Sequence, residues 1–127
     1  ADSYKCERFD QKVVKKALNS SRGMLLVNAD HVSAWNLRKL ALNRDHCTFE
    51  SEIRFSNLVL CKHSKSSHAW SHRRWCFNKK FSDAKPSVSV LKDELKICSK
   101  VANMYPKNYY AWSQRGWLAT RFLSTNV

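Results

Sequence analysis

The chain has 127 residues, 43% of them hydrophobic and 12% aromatic, enough to build one packed domain spanning 1–127. Only 2 Gly and 2 Pro occur, too few for the tight turns of a sandwich or barrel, so helices with short connections are expected. Lys and Arg number 23 against 10 Asp and Glu, a net charge of +13, which points to an anionic partner or to a solvated basic face.

The first helical stripe runs through Phe9, Val13, Ala17 and Leu18 and continues with Met24 and Leu25, with Gly23 expected to interrupt it. A second segment, DHVSAWNLRKL (30–40), follows. Phe49 to Cys61 is helical in composition, with a broad apolar surface from Ile53, Phe55, Leu58, Val59 and Leu60, and leads to KSSHAWSHRRW (65–75). After the connection SDAKPSVS (82–89), the residues Val88, Leu91, Leu95, Cys98, Ala102 and Tyr105 step by three or four. Pro106 ends that helix, Asn108 caps the next, and KNYYAWSQRGW (107–117) follows.

Three of these segments say the same thing. Ala34-Trp35-Arg38, Ala69-Trp70-Arg73 and Ala111-Trp112-Arg115 share an Ala-Trp-x-x-Arg core, and a large residue recurs five positions after each Trp, at Leu40, Trp75 and Trp117. The Trp spacings of 35 and 42 residues fit helix-pair solenoid units. The chain therefore reads as helix, turn, helix, three times over, in units of about 8–43, 49–80 and 87–123, with the 82–89 connection absorbing the seven extra residues of the third. Trp35, Trp70 and Trp112 are expected between helices. Small Ala allows close approach there, while Arg38, Arg73 and Arg115 serve either as struts between units or as partner contacts.

Other readings compete for the basic and metal-binding residue types. The stretch from Lys62 to Lys85 holds seven basic residues and one acid, Asp83, interleaved with Trp70, Trp75 and Phe77; exposed, these could form a phosphate track with stacking platforms for RNA or DNA. No nucleic-acid motif accompanies them, and burial is the deciding point: tryptophans packed between helices could not stack on bases. Cys61, His63, His68 and His72 resemble a list of zinc ligands, but their spacing matches no standard finger, so no metal is assigned to this chain. His46-Cys47 are adjacent on the chain and would point apart on a helix. The five cysteines, at 6, 47, 61, 76 and 98, form no paired framework and suit reduced thiols in the cytoplasm. No run of about 20 apolar residues suggests a membrane span, and the opening ADSYKCERFDQK carries charges where a secretory signal would be apolar.

The repeated sentence resembles the protein prenyltransferase alpha-subunit repeat, marked by Pro/Ala-x-Asn-Tyr-x-x-Trp-x-x-Arg at the start of the second helix of each hairpin. PKNYYAWSQRGW (106–117) matches almost fully. SSHAWSHRRW (66–75) has Ser67-His68 in place of Asn-Tyr, and NADHVSAWNLRK (28–39) has His31-Val32 there. The resemblance implies an all-α fold, a tetratricopeptide-like right-handed superhelix of antiparallel hairpins. It also implies an alpha-type subunit, not catalytic alone, that scaffolds a prenyltransferase beta subunit, first of all one of the Rab geranylgeranyltransferase type. Zinc and the isoprenoid diphosphate, geranylgeranyl or farnesyl, would lie on that partner, and the substrate would be a protein with a C-terminal cysteine. Lys107-Asn108-Tyr109 resembles the tripeptide of the farnesyl- and type I geranylgeranyltransferase branch, whose Lys and Tyr lie beside the diphosphate, so Lys107, expected in the first helical turn, and Tyr109 are the catalytic candidates. The alternatives are a helical-repeat scaffold without a prenylation role and a basic RNA-binding repeat.

Overall fold

In a computed structural model of the chain, the backbone is described for residues 2–123 and the side chains for residues 11–123. Six α-helices follow one another: α1 Asp2–Val27, α2 Val32–Asn43, α3 Phe49–Lys62, α4 Ser67–Lys80, α5 Val88–Met104 and α6 Tyr109–Leu118, the last running into a π-type turn at Ala119–Leu123. No strand occurs among the described residues. The helices pair as antiparallel hairpins, α1 with α2, α3 with α4 and α5 with α6, and successive hairpins stack α1 on α3, α2 on α4 and α4 on α6. The fold is the expected all-α helical repeat.

Local chemistry sets the boundaries. Every helix after α1 starts at a side chain that accepts a backbone N–H: His31, Thr48, Ser66, Ser87 and Asn108. Thr48 and Ser51 do so reciprocally as a capping box. After α2 the chain turns through Asp45 at φ 60°, a left-handed conformation that the short polar Asp side chain tolerates.

Three expectations change in the structure. Helix α1 passes unbroken through Gly23, because a helix of 26 residues packed against two neighbours absorbs the roughly 1 kcal/mol that one glycine costs. Its buried line is Val14, Ser21 and Leu25, while Val13 and Met24 face outward; Phe9 lies outside the described side chains. The seven extra residues of the third unit are also not confined to the 82–89 connection. Helix α4 has 14 residues against 12 in α2, and α5 has 17 against 14 in α3. The α4–α5 connection adds only the remainder, and Val88 and Ser89 already belong to α5.

The third change concerns the tryptophans. Trp35 and Trp70 are 2% exposed, as expected, but Trp112 is 50% exposed. Trp35 packs on Phe55 and His72 of the hairpin that follows it, and Trp70 lies in the same core cluster as Cys98 and Leu118 of its own following hairpin. No helix follows α6 among the described residues, so Trp112 keeps one face in solvent. The main core joins Leu25, Trp35, Phe55, Val59, Trp70, Phe77, Cys98 and Leu118. An aromatic cluster of Phe77, Phe81, Trp117 and Phe122 ties α4 to the π-type turn.

Candidate functional site

The repeated Ala-Trp-x-x-Arg motif builds a repeated junction. Four residues before each Trp stands the helix cap, His31, Ser66 or Asn108, which accepts the backbone N–H of Ala34, Ala69 or Ala111. Six residues before the first two tryptophans stands the carbonyl that accepts the indole N–H: Trp35 Nε1 donates to Ala29 O at 2.7 Å and Trp70 Nε1 to Ser64 O at 2.8 Å. Each indole thus locks the turn of its own hairpin while its ring fills the space between helices.

The arginines act across hairpins. Arg38 donates from Nε to Glu52 Oε2 at 3.1 Å and from Nη2 to Glu52 Oε1 at 2.6 Å, binding α2 to α3 at two points. Its Nη1 reaches back to Ser21 Oγ and Leu18 O of α1. Arg73 repeats the set one hairpin later, with Nε and Nη2 on Glu94 of α5 and Nη1 on Ser56 Oγ, Asn57 Oδ1 and Ile53 O of α3. In both cases the serine lies 17 residues and the carbonyl 20 residues before the arginine. Arg38 and Arg73 are therefore struts between units, and Arg73, fully buried, is withdrawn from the basic surface.

A third residue completes each junction. Glu52 accepts from His72 Nε2 at 2.9 Å, and Glu94 accepts from Gln114 Nε2 at 3.2 Å. His72 and Gln114 both stand two residues after their Trp. Burial pushes Glu52 upward, but the bonds from His72 and Arg38 outweigh it and hold the carboxyl below its ordinary range. Burial also pushes His72 below its ordinary value, so the ring is neutral at pH 7. Its Nε2 then carries the proton donated to Glu52, and Nδ1 is left buried without a bond between the Trp35 and Trp75 rings.

These glutamates escape a reading of the sequence centred on Trp and Arg. A signal for them exists: Glu52 and Glu94 each stand 18 residues before a motif Trp, and the corresponding residue before Trp35 is Ala17. The first hairpin, with Ala17 and Leu37 at these positions, carries neither the acceptor nor its polar companion.

The third copy departs from the others on its outer side. Arg115 is exposed and lies over the Trp112 ring at 5.3 Å. Seventeen residues before it stands Cys98 in place of serine. On the inner side the copy is well anchored: Asn108 donates from Nδ2 to Ser64 O at 2.7 Å, the carbonyl that also takes the Trp70 indole. Arg74 of α4 reaches Gln114 and Ser113 of α6 at 2.8 Å each.

The catalytic candidates flank that anchor. Asn108 is buried, while Lys107 and Tyr109 on either side are exposed, Tyr109 by 76%. Lys107 is not in the first turn of α6, as the sequence suggested, but just before the cap. The N–H groups of Tyr110 and Ala111 are already taken by Asn108 Oδ1, so the helix end lends an anion less than an open N-terminus would. An anion here would meet the ammonium of Lys107 and the phenol of Tyr109 from outside the hairpin turn.

The remaining candidates separate. His63 Nε2 bonds Leu26 O at 2.8 Å, His72 bonds Glu52, and Cys61 is exposed on α3. Among the described residues no three His, Cys, Asp or Glu side chains stand together as metal ligands. Burial pushes the Cys47 thiol up to about 11, so the His46-Cys47 pair offers no thiolate. Trp70 and Phe77 are buried, which removes both as stacking platforms for bases. A groove of about 390 Å³ between α3 and α5 is lined by Phe49, Ile53, Asn57, Arg73, Val90 and Ile97, and neither Lys107 nor Tyr109 borders it. No described helix is long and apolar enough to cross a membrane.

Comparison with known proteins gives the repeat its relatives. The family model described as protein prenyltransferase alpha subunit repeat matches residues 49–80 and 91–122, the second and third hairpins. The protein prenyltransferase alpha subunit repeat-containing protein 1 of Danio rerio is 33% identical over 100 residues, covering 65% of this chain and 24% of that protein. Its namesake from Homo sapiens is 28% identical over 99 residues, covering 65% and 25%. Geranylgeranyl transferase type-2 subunit alpha 1 of Arabidopsis thaliana is 28% identical over 87 residues, covering 60% and 13%. The chain spans about a quarter of the length of the first of these relatives.

Proposed function

The chain belongs to the protein prenyltransferase alpha subunit repeat family, and from that premise we propose that it acts as an alpha-type subunit, holding a beta-type subunit against its helical hairpins. The partner would be of the Rab geranylgeranyl type, a choice supported by the likeness to a geranylgeranyl transferase type-2 alpha subunit. The reaction is isoprenoid transfer to a protein's C-terminal cysteine, in the cytoplasm. Zinc would belong to the partner.

The observation that carries this reading is the Lys107-Asn108-Tyr109 turn. Asn108 is buried and bonded to α4's preceding turn through Ser64 O, which fixes the backbone on both sides. Lys107 and Tyr109 are presented outward from that fixed point. In the complex, the Lys107 ammonium and the Tyr109 hydroxyl donate to diphosphate oxygens as negative charge builds on the leaving group. One charge-assisted contact of this kind contributes about 1.5–3 kcal/mol. Where it acts mainly in the transition state, Lys107→Ala lowers turnover roughly ten- to a hundredfold.

The test is turnover and beta-subunit affinity of the reconstituted pair, with wild type, Lys107→Ala and Tyr109→Phe. Reduced turnover with unchanged assembly supports the role. Unchanged turnover in both variants removes it and leaves the chain a scaffold, and loss of assembly makes both residues interface struts.

A further inference from the structure

The junction between hairpins has been built twice, and α6 presents the donor half of a third. In the two complete junctions an arginine three residues after the Trp meets a glutamate on the first helix of the next hairpin: Arg38 with Glu52 and Arg73 with Glu94. The receiving helices share a pattern around that glutamate. Apolar residues stand three before it (Phe49, Leu91), one after it (Ile53, Leu95) and seven after it (Val59, Val101). Arg115 holds the third arginine position, and Cys98 holds the position of Ser21 and Ser56. Beside it the half-exposed Trp112 ring stands where Trp35 and Trp70 are covered.

We propose that the Trp112–Arg115 face of α6 docks an amphipathic helix bearing a glutamate in the pattern apolar-x-x-Glu-apolar, with the carboxylate taken by Arg115 and the apolar residues laid on Trp112. The occupant is fixed by continuity: the α2–α3 and α4–α5 junctions define both the charge and the spacing that this face accepts. The opposite end offers no such demand, since Ala17 and Leu37 replace the glutamate and its polar companion. Covering Trp112 buries an aromatic face, and pairing Arg115 gives a two-point, charge-assisted contact. The proposal is independent of any prenylation role.

The probe is a capped synthetic peptide of residues 87–105, the chain's own α5 with its cap, titrated into the full chain. The indole N–H signals are followed by NMR, with the Trp112 signal identified through Trp112→Phe. A second format appends the same peptide after residue 127 through a flexible Gly/Ser linker, which raises its effective concentration to roughly millimolar. The expected result is saturable movement of the Trp112 indole and its protection from quenching. Binding should weaken at least about tenfold with a Glu94→Gln peptide or with Arg115→Gln protein, and little further when the two are combined. An Arg115→Glu protein should prefer a Glu94→Arg peptide. The proposal is overturned if neither free nor tethered peptide protects Trp112, or if binding ignores Arg115. It is equally overturned if the peptide moves the Trp70 indole instead, by exchange with α5, or if two copies of the chain cover Trp112 on each other.

Discussion

Arg73 and Glu94 form a two-point ion pair in which both side chains are almost wholly out of solvent, joining α4 of one hairpin to α5 of the next. Moving two charges out of water is costly, and the pair is sustained because its other polar atoms are met as well. Arg73 is bonded by Ser56, Asn57 and Ile53 O, and Glu94 by Gln114. The expected outcome is asymmetric. Glu94→Leu leaves a buried guanidinium and should lower stability by about 3–5 kcal/mol. Arg73→Met with Glu94→Leu removes both charges and should recover most of that loss. Urea unfolding of the three proteins checks it; a double variant as unstable as the single one would mean that packing, not charge, holds the junction.

Trp70 and Trp112 have the same place in the motif and opposite surroundings. Trp70→Phe removes an indole that is buried and bonded to Ser64 O, and should cost about 2–4 kcal/mol through the cavity and the lost bond. Trp112→Phe changes a half-exposed ring, and surface substitutions of that kind stay within about 0.5 kcal/mol. Thermal unfolding of the two variants should rank them clearly. Equal losses would place Trp112 in a packing role that its exposure does not suggest.

That contrast marks how far the sequence was legible. The Ala-Trp-x-x-Arg register gave the hairpin count, the cap at Asn108, and burial of Trp35 and Trp70, because those depend on contacts within a repeat or to a neighbour that the chain supplies. Trp112 and Arg115 read the same in sequence and differ in space, because no helix follows α6 to cover them among the described residues. Glu52, Glu94 and His72 were hidden for another reason. Glutamates on a helix otherwise read as solvated, and only their constant distance of 18 residues from a Trp betrays a buried partner. The outward pair Lys107 and Tyr109 follows from a motif match, while the buried Asn108 between them, bonded across 44 residues to Ser64 O, is legible only in the fold.

The thiols offer a separate check on the packing. Burial pushes Cys76 and Cys98 up to about 12 and Cys47 up to about 11, whereas Cys61 is exposed. Reaction requires the thiolate and access to it. In a Cys6→Ser background, iodoacetamide at about pH 8 should label Cys61 first, with Cys76 and Cys98 protected until the protein unfolds. Peptide mapping by mass spectrometry after brief exposure reads the order. Early labelling of Cys98 would show that α5 opens without global unfolding.

His72 should make the fold acid-sensitive above the carboxylate range. Burial depresses its folded pKa below the ordinary 6.5, and the Lys39 and Arg38 charges push the same way, against the pull of Glu52. Below about pH 6.5 the unfolded chain therefore takes up a proton that the folded chain refuses, and stability falls as pH falls by up to about 1.4 kcal/mol per pH unit. Glu52, held below its ordinary 4.5, adds a second loss in the same direction only as pH drops under that value. The two windows separate the residues. The third hairpin supplies the variant: Gln114 already fills the His72 role toward Glu94 with a neutral amide, so His72→Gln keeps a donor for Glu52 without a titrating group. Urea midpoints for wild type should decline from about pH 7 to about pH 5, while His72→Gln loses most of that decline and keeps the fall below about pH 4.5. If both proteins decline in parallel across the upper window, the acid sensitivity belongs to another group and the neutral, Glu52-bonded state assigned to His72 is wrong.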